Sequence, residues 1–231
     1  MKSELPKVLH RVGGIPMVEL VVRAANEAGA DQIVVVVGRG ANLVREALGD
    51  GVAYAVQEQP LGTGNAAACA RDQASGARNI LVLCGDTPLV TGETLRRLGE
   101  AHREGRAAAT ILTAISDDPT GYGRVIRGDD GKVRRIVEDA DANPAEKAVR
   151  EINAGIYVFQ AAGFWEALEE VRPNNAQGEY YLTDCIAGLV AKGLPVAAHP
   201  VDDPLEVEGV NNPDQLAAAE GRVKRRGKLD A

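Results

Sequence analysis

Two residues far apart in the chain carry oxygen donors where a cation or a phosphate could be handled. Asp86 follows the apolar run Ile80-Leu81-Val82-Leu83-Cys84 through Gly85. Its carboxylate is therefore expected at the carboxyl edge of a buried parallel strand, the edge at which open α/β sheets bind ligands. A carboxylate with few protein partners suits Mg²⁺, which takes one or two protein oxygens and otherwise keeps water and phosphate oxygens. A plain turn aspartate ahead of Pro88 is the competing interpretation. Asn211, in Glu208-Gly209-Val210-Asn211-Asn212, is either a cap for the last helix or a second metal ligand.

Other polar residues sit at strand ends and turns. The segment Gln57-Glu58-Gln59-Pro60-Leu61-Gly62-Thr63-Gly64-Asn65 joins a strand to a helix. Its glycines permit close backbone approach to a planar ligand, the helix start favours anions, and the Gln57 amide could pair with the edge of a base. An ordinary strand–helix turn with Thr63 as cap is the simpler alternative. Gly121-Tyr122-Gly123-Arg124 reads as a turn entering a strand. Asn153 lies within a strand and could bind a sugar hydroxyl or amide, or only satisfy neighbouring backbone; Glu138 ends another strand and could accept from a hydroxyl, or be a plain exposed strand-end glutamate. His10, His102 and His199 have no metal or catalytic spacing, and no Ser-His-Asp or Cys-His arrangement is present.

These residues need a scaffold, and the pattern supplies one. Val18, Val21, Val22 and Ala25 form one stripe of a helix over residues 16–29. The β-branched run Gln32 to Gly38 reads as a strand buried on both faces, hence parallel. A helix over 41–48, a strand over 52–57, an alanine-rich helix over 63–75 and the strand Ile80 to Cys84 follow. Thr91 is placed to cap the next helix. The second half is richer in strands: 108–115, 123–127, 132–138 and 151–159, with the polar stretch Asp139 to Arg150 as a loop or short helix. Helices near 161–172, 180–192 and 214–225 complete the chain. The expected fold is α/β, a mostly parallel mixed sheet carrying a smaller β-rich lobe, as one domain over residues 1–226 with a tail at 227–231.

Composition limits the function classes. The 231 residues are 45% hydrophobic and 26% charged, which is ordinary for a globular chain. A net charge of −7 argues against a nucleic-acid groove or binding to an anionic membrane surface. Three cysteines without metal-like spacing fit a reduced, cytoplasmic setting. No apolar run approaches a membrane span.

In order, the segments resemble a family. Leu5-Pro6-Lys7-Val8-Leu9-His10, the stretch Gln57 to Ala66, Leu83 to Leu89, Asp117 to Arg127, Ile136 to Glu138, Glu151 to Phe159, Asn174 to Asp184 and Glu206 to Asn212 are together similar to the sugar-1-phosphate nucleotidyltransferases. The likeness is nearest to the uridylyltransferase domain of bacterial bifunctional enzymes that make UDP-N-acetylglucosamine. That resemblance implies a Rossmann-like fold and Mg²⁺-dependent transfer of UMP from UTP to N-acetylglucosamine-1-phosphate. Lys7 would contact phosphate near the reacting centre, Gln57, Gly62 and Thr63 would read uracil, and Asp86 and Asn211 would hold Mg²⁺. Gly123, Glu138 and Asn153 would contact N-acetylglucosamine.

Departures from the family pattern carry their own expectations. The family's first strand, glycine-rich loop and neighbouring arginine would precede Met1, so Met1 is expected to correspond to an internal methionine of a longer reading frame. Several lost phosphate donors would leave weak turnover, and a sugar-nucleotide-binding remnant is the alternative to an active enzyme. A relative using another sugar phosphate or nucleotide is a third possibility. Cys84 stands where a tyrosine or small polar residue is frequent, Ala140 where a lysine is common, and Pro213 where an arginine is common. The family's β-helix acetyltransferase domain is not among these residues, and a monomer is expected without it.

Overall fold

The computed structural model describes residues 5–226. The expectations for Met1 to Glu4 and for the 227–231 tail lie outside the described residues. A short 3-10 helix, Lys7–Leu9, leads into a hairpin of β1 (Arg11–Val12) and β2 (Ile15–Pro16). Next come α1 (Met17–Glu27), β3 (Val34–Val37), α2 (Ala41–Leu48), β4 (Ala53–Val56), α3 (Thr63–Cys69) and β5 (Asn79–Val82). They are followed by α4 (Gly92–Gly105), β6 (Ala109–Ile115), β7 (Arg124–Arg127), β8 (Val133–Val137) and α5 (Pro144–Lys147). The chain continues through β9 (Glu151–Gln160), α6 (Ala161–Glu170), α7 (Asp184–Ala191) and β10 (Val196–Pro200), a 3-10 turn at Pro204–Val207, and α8 (Pro213–Arg226).

A six-stranded mixed sheet organises the molecule. β9 is its axis: β6 lies along one edge, and β10 continues beyond β6 in parallel. The other edge of β9 is shared. Its second half, Tyr157 to Gln160, pairs antiparallel with β5, whereas Ile152 in its first half pairs with Arg124 of β7, which carries β8 beyond it. The change of partner coincides with Gly155, at φ +71°, and with a register shift opposite it between Ile111 and Thr113.

Alternation along the central strands fills cores on both faces. Tyr157 and Phe159 face α6 and α7, packing with Phe164, Cys185, Ile186 and Leu189. Ile156 and Val158 face the opposite layer, with Leu95 and Leu98 of α4, Ala24 of α1 and Leu112. Helices thus cover both faces of the sheet, the arrangement that makes strands read as continuous apolar runs.

β3 and β4 pair in parallel as a separate two-stranded sheet. Val34, Val35 and Val36 are only half-buried, which corrects the expectation of a strand buried on both faces. Among the described residues β3 has no strand on its other edge, and both β3 and β5 line the same cavity. Ile80 to Cys84 likewise is half-buried rather than fully buried, and the partner of β5 is antiparallel. The helix expected over 63–75 stops at Cys69, and the one expected from residue 180 starts at Asp184. Of the residues removed from it, Tyr180 and Leu182 tie down the turn at Gly62 instead. No helix among the described residues is long and apolar enough to cross a membrane.

Candidate functional site

The site residues that the resemblance implies, Gly62 excepted, line one cavity of about 2020 Å³. They fall into three groups within it.

At the first, Lys7, Asp86 and Asn211 converge. Gly85 makes this possible, because a β-carbon there would stand 3.3 Å from Val8 Cγ1, so the turn after β5 lies directly against the Lys7–Leu9 helix. The turn itself is fixed by Thr87, whose hydroxyl donates to Cys84 O at 2.7 Å. Val210 N donates to Asp86 O at 2.8 Å and brings the Asn211 segment alongside. The Lys7 ammonium then donates to Asp86 Oδ2 and, at 2.7 Å, to Asn211 Oδ1. Asn211 is free for this because it does not cap α8: Asn212 Oδ1 accepts from Gln215 N at 2.9 Å, and Gln215 Oε1 accepts from Asn211 N. Pro213 opens α8, where its fixed φ and missing donor cost nothing.

The ammonium of Lys7 tests the metal assignment. Two oxygens, one charged and one neutral, converge on a single cationic atom, so the pair can present itself to a cation at one point. Two protein oxygens form the partial shell that suits Mg²⁺. The donor set fits the ion.

The second group is the turn after β4. Gly62 has φ +110°, and a β-carbon there would meet Tyr180 O at 2.6 Å and Tyr180 N at 2.8 Å. Three bonds lock the two segments: Tyr180 N to Leu61 O (2.8 Å), Gly64 N to Tyr180 O (2.7 Å) and Leu182 N to Thr63 Oγ1 (3.0 Å). Thr63 is therefore not the cap of α3; its hydroxyl braces the 180–182 segment. Gln57 Nε2 donates to Gly62 O at 3.1 Å and to Asn65 Oδ1 at 2.8 Å. Both amide hydrogens are thereby used within the turn, and the carbonyl Oε1 is the group Gln57 offers to a ligand.

The third group surrounds the partner change in β9. Asn153 N donates to Gly123 O at 2.8 Å, and a β-carbon on Gly123 would meet Ile136 Cγ2 at 3.0 Å, Glu138 Oε2 at 3.4 Å and Asn153 Cβ at 3.5 Å. Gly123, Glu138 and Asn153 are thus mutual neighbours. Asn153 Nδ2 donates to the Tyr157 hydroxyl at 2.6 Å and its Oδ1 accepts from Gly155 N at 3.1 Å, which leaves one amide hydrogen for a ligand. Glu138 Oε1 accepts from the Thr183 hydroxyl at 3.0 Å. Burial, and then Asp141, Asp184 and Asp139 nearby, push the Glu138 carboxyl above its ordinary value, while the Thr183 bond acts the other way.

Sequence reasoning missed several supporting groups. Arg124, 2% exposed, donates to Tyr122 O and pairs with Asp139 Oδ1 at 2.9 Å, holding the Gly121–Gly123 turn against the end of β8. Its position after two glycines was the available signal. Cys84 donates to Gly155 O at 3.4 Å, and burial, then Asp86, pushes its thiol up to about 12, which disfavours the thiolate. His102 is buried with Nδ1 3.0 Å from Thr110 Oγ1, away from all three groups.

A mixed sheet with helices on both faces and a cavity combining the Lys7–Asp86 ion pair with amide and carboxylate groups make this an α/β protein with a polar ligand cavity. The nucleotidyl transferase family model matches residues 2–204, and the chain belongs to that family. It is 53% identical to the bifunctional protein GlmU of Pelotomaculum thermopropionicum over 227 residues, 98% of this chain and 50% of that protein. The GlmU of Heliobacterium modesticaldum is 48% identical over 235 residues, covering 100% of this chain and 51% of that protein. The chain spans about half the length of these relatives. Among solved structures, UDP-glucose pyrophosphorylase complexed with UDP-glucose superposes with a TM-score of 0.73 at 16% identity, covering 97% of this chain and 90% of that one. A Bacillus anthracis protein assigned as a glucose-1-phosphate thymidylyltransferase gives 0.75 at 22% identity, covering 97% and 87%. These two establish the fold alone.

Proposed function

We propose that the chain transfers UMP from UTP to N-acetylglucosamine-1-phosphate with Mg²⁺, giving UDP-N-acetylglucosamine and pyrophosphate. The observation that carries this is the convergence of Asp86 and Asn211 on one cation, in the same cavity as the turn at Gln57 and the cluster at Glu138. Identities near 50% to GlmU proteins support the sugar and the base. Asp86 and Asn211 would hold the ion, whose chemical contribution would be neutralisation of phosphate charge. Lys7, released from Asp86, would meet the charge on the reacting phosphate. Gln57 Oε1 is an acceptor, the complement of the imide N–H of uracil and a mismatch for the N3 acceptor of cytosine. Asn153 and Glu138 would hold the acceptor sugar so that its phosphate oxygen attacks the α-phosphorus in line, displacing pyrophosphate. Such chemistry rests on positioning and charge neutralisation and needs no covalent nucleophile.

A second reading, a sugar-nucleotide binder with weak turnover, follows from Lys7 being the basic side chain that the described residues bring to Asp86. One experiment separates the two. Pyrophosphate release from UTP and N-acetylglucosamine-1-phosphate is measured with Mg²⁺, alongside calorimetric binding of UDP-N-acetylglucosamine. Turnover that falls at least about a hundredfold in Asp86→Ala is expected. Retained turnover in that variant would show the metal assignment to be wrong. Product binding without turnover would select the second reading, and neither in a folded chain would remove both.

A further inference from the structure

Thr183 occupies the cap position of α7 but does not cap it. The residue stands immediately before Asp184, is 4% exposed, has a helical backbone at φ −60° and ψ −25°, and accepts nothing from its own helix. Threonine at that position ordinarily turns its oxygen to the helix's first free amides, a stabilising bond. Here the hydroxyl instead donates to Glu138 Oε1 at 3.0 Å, across to the end of β8. A local rule is broken at a residue lining the cavity, which is the pattern expected where position serves a site.

The geometry explains what the broken rule achieves. Glu138 hangs from a strand end, and a carboxylate there is free to rotate unless one oxygen is held. Thr183 holds Oε1, and Oε2 is the oxygen that faces Gly123, 3.4 Å from where a β-carbon there would stand. The ionisable groups around Glu138 are Asp139 and Asp141 beyond its own strand, Asp184 on α7, Cys84 after β5, Tyr157 on β9 and Tyr181 ahead of α7. The nearby cation Arg124, beside Val137 across the β7–β8 ladder, is engaged with Asp139 Oδ1 and Tyr122 O, so the hydroxyl of Thr183 is the group that holds Oε1 of Glu138. Asn153 is held in the same way by the Tyr157 hydroxyl and Gly155 N.

We propose that Thr183 is a positioning residue, giving up the cap of α7 to orient Glu138 so that Oε2 meets a hydroxyl or amide of the acceptor sugar. This rests on Glu138 contacting the sugar. The test compares Thr183→Val, Thr183→Ser and Glu138→Gln in the full chain by calorimetric titration with UDP-N-acetylglucosamine and with UTP, by thermal melting, and by carbon NMR of the Glu138 carboxyl.

Thr183→Val is expected to weaken UDP-N-acetylglucosamine about tenfold, with UTP unchanged, as loss of one hydrogen bond that fixes a ligand group implies. Thr183→Ser, which keeps the hydroxyl, should restore binding to within about threefold of wild type. The Glu138 carboxyl should titrate at higher pH in Thr183→Val and return in Thr183→Ser, because the hydroxyl stabilises the charged form. A Thr183→Val chain that melts lower but binds UDP-N-acetylglucosamine as wild type would overturn the proposal and leave a purely structural role. If Glu138→Gln also binds unchanged, the sugar assignment of this cluster has failed. If Glu138→Gln weakens binding and Thr183→Val does not, only the positioning role has failed.

Discussion

Glu138 carries a carboxylate into a setting of other acids, and its titration links the site to the stability of the chain. Its folded value is raised above the ordinary 4.5, first by burial and then by Asp141, Asp184 and Asp139. The native state therefore holds a proton over a pH interval in which the unfolded chain has released it. Stability from this group is present below pH 4.5, is lost as pH rises from there through the raised value, and stays lost above it. Glu138→Gln removes the dependence, so its melting temperature should gain on wild type as pH increases across that interval. Melting curves between acid and neutral pH measure this, and a difference that does not change with pH would contradict it. At this scale Asp86 stood out because it follows an apolar run, Asn153 and Asn211 because of their places within a strand and before the last helix, and the order of segments added Lys7. Thr183 was not legible, since the helix expected over 180–192 put it inside the first turn, whereas its hydroxyl reaches across to Glu138. Nor was the use of both Gln57 amide hydrogens, which depends on where Gly62 O and Asn65 Oδ1 come to rest.

β9 pairs with β5 along one half of its edge and with β7 along the other, and Gly155 marks the change. At φ +71°, with a β-carbon position 2.9 Å from Cys84 Sγ, the site resists any side chain on two counts. Gly155→Ala should destabilise the chain by about 1–3 kcal/mol through backbone strain alone, with the clash added. Urea unfolding of Gly155→Ala, with and without Cys84→Ala, separates the parts: removing the sulfur should recover the clash but not the strain. Complete recovery would mean that the backbone conformation carries no cost. Most elements could be read from periodicity, including the Thr91 cap, which accepts from Thr94 N at 3.1 Å. β10 could not. Val196-Ala197-Ala198-His199-Pro200 has weak strand propensity, and it becomes a strand because its backbone pairs in parallel with β6. The alanines after Cys69 suggested more helix, yet that stretch passes into turns ending at Gly76, with φ +88°.

Across the whole molecule, stability is unevenly distributed. The β6–β9 pairing is the most extensive in the sheet and is packed on both faces, whereas β3 and β4 form a four-residue parallel ladder with half-buried valines. A two-stranded element of that kind has little independent stability. Amide exchange should accordingly be faster in Val34–Val37 than in Ile156–Phe159, by orders of magnitude in protection; equal protection would show that β3 is held by more than β4. The valine run was legible as a strand, but its depth of burial was not, because burial depends on what lies beside it. The Lys7 end of the cavity has a further consequence for the molecule as a whole. Lys7 makes its charge balance internal: a divalent ion reaching Asp86 and Asn211 would exchange with an ammonium rather than enter an uncompensated acidic pocket. The ammonium it displaced would stay tethered at the rim, beside the anion arriving with the ion. Loading would then be a trade of partners within a neutral site, and a chain stripped of metal would keep its carboxylate paired.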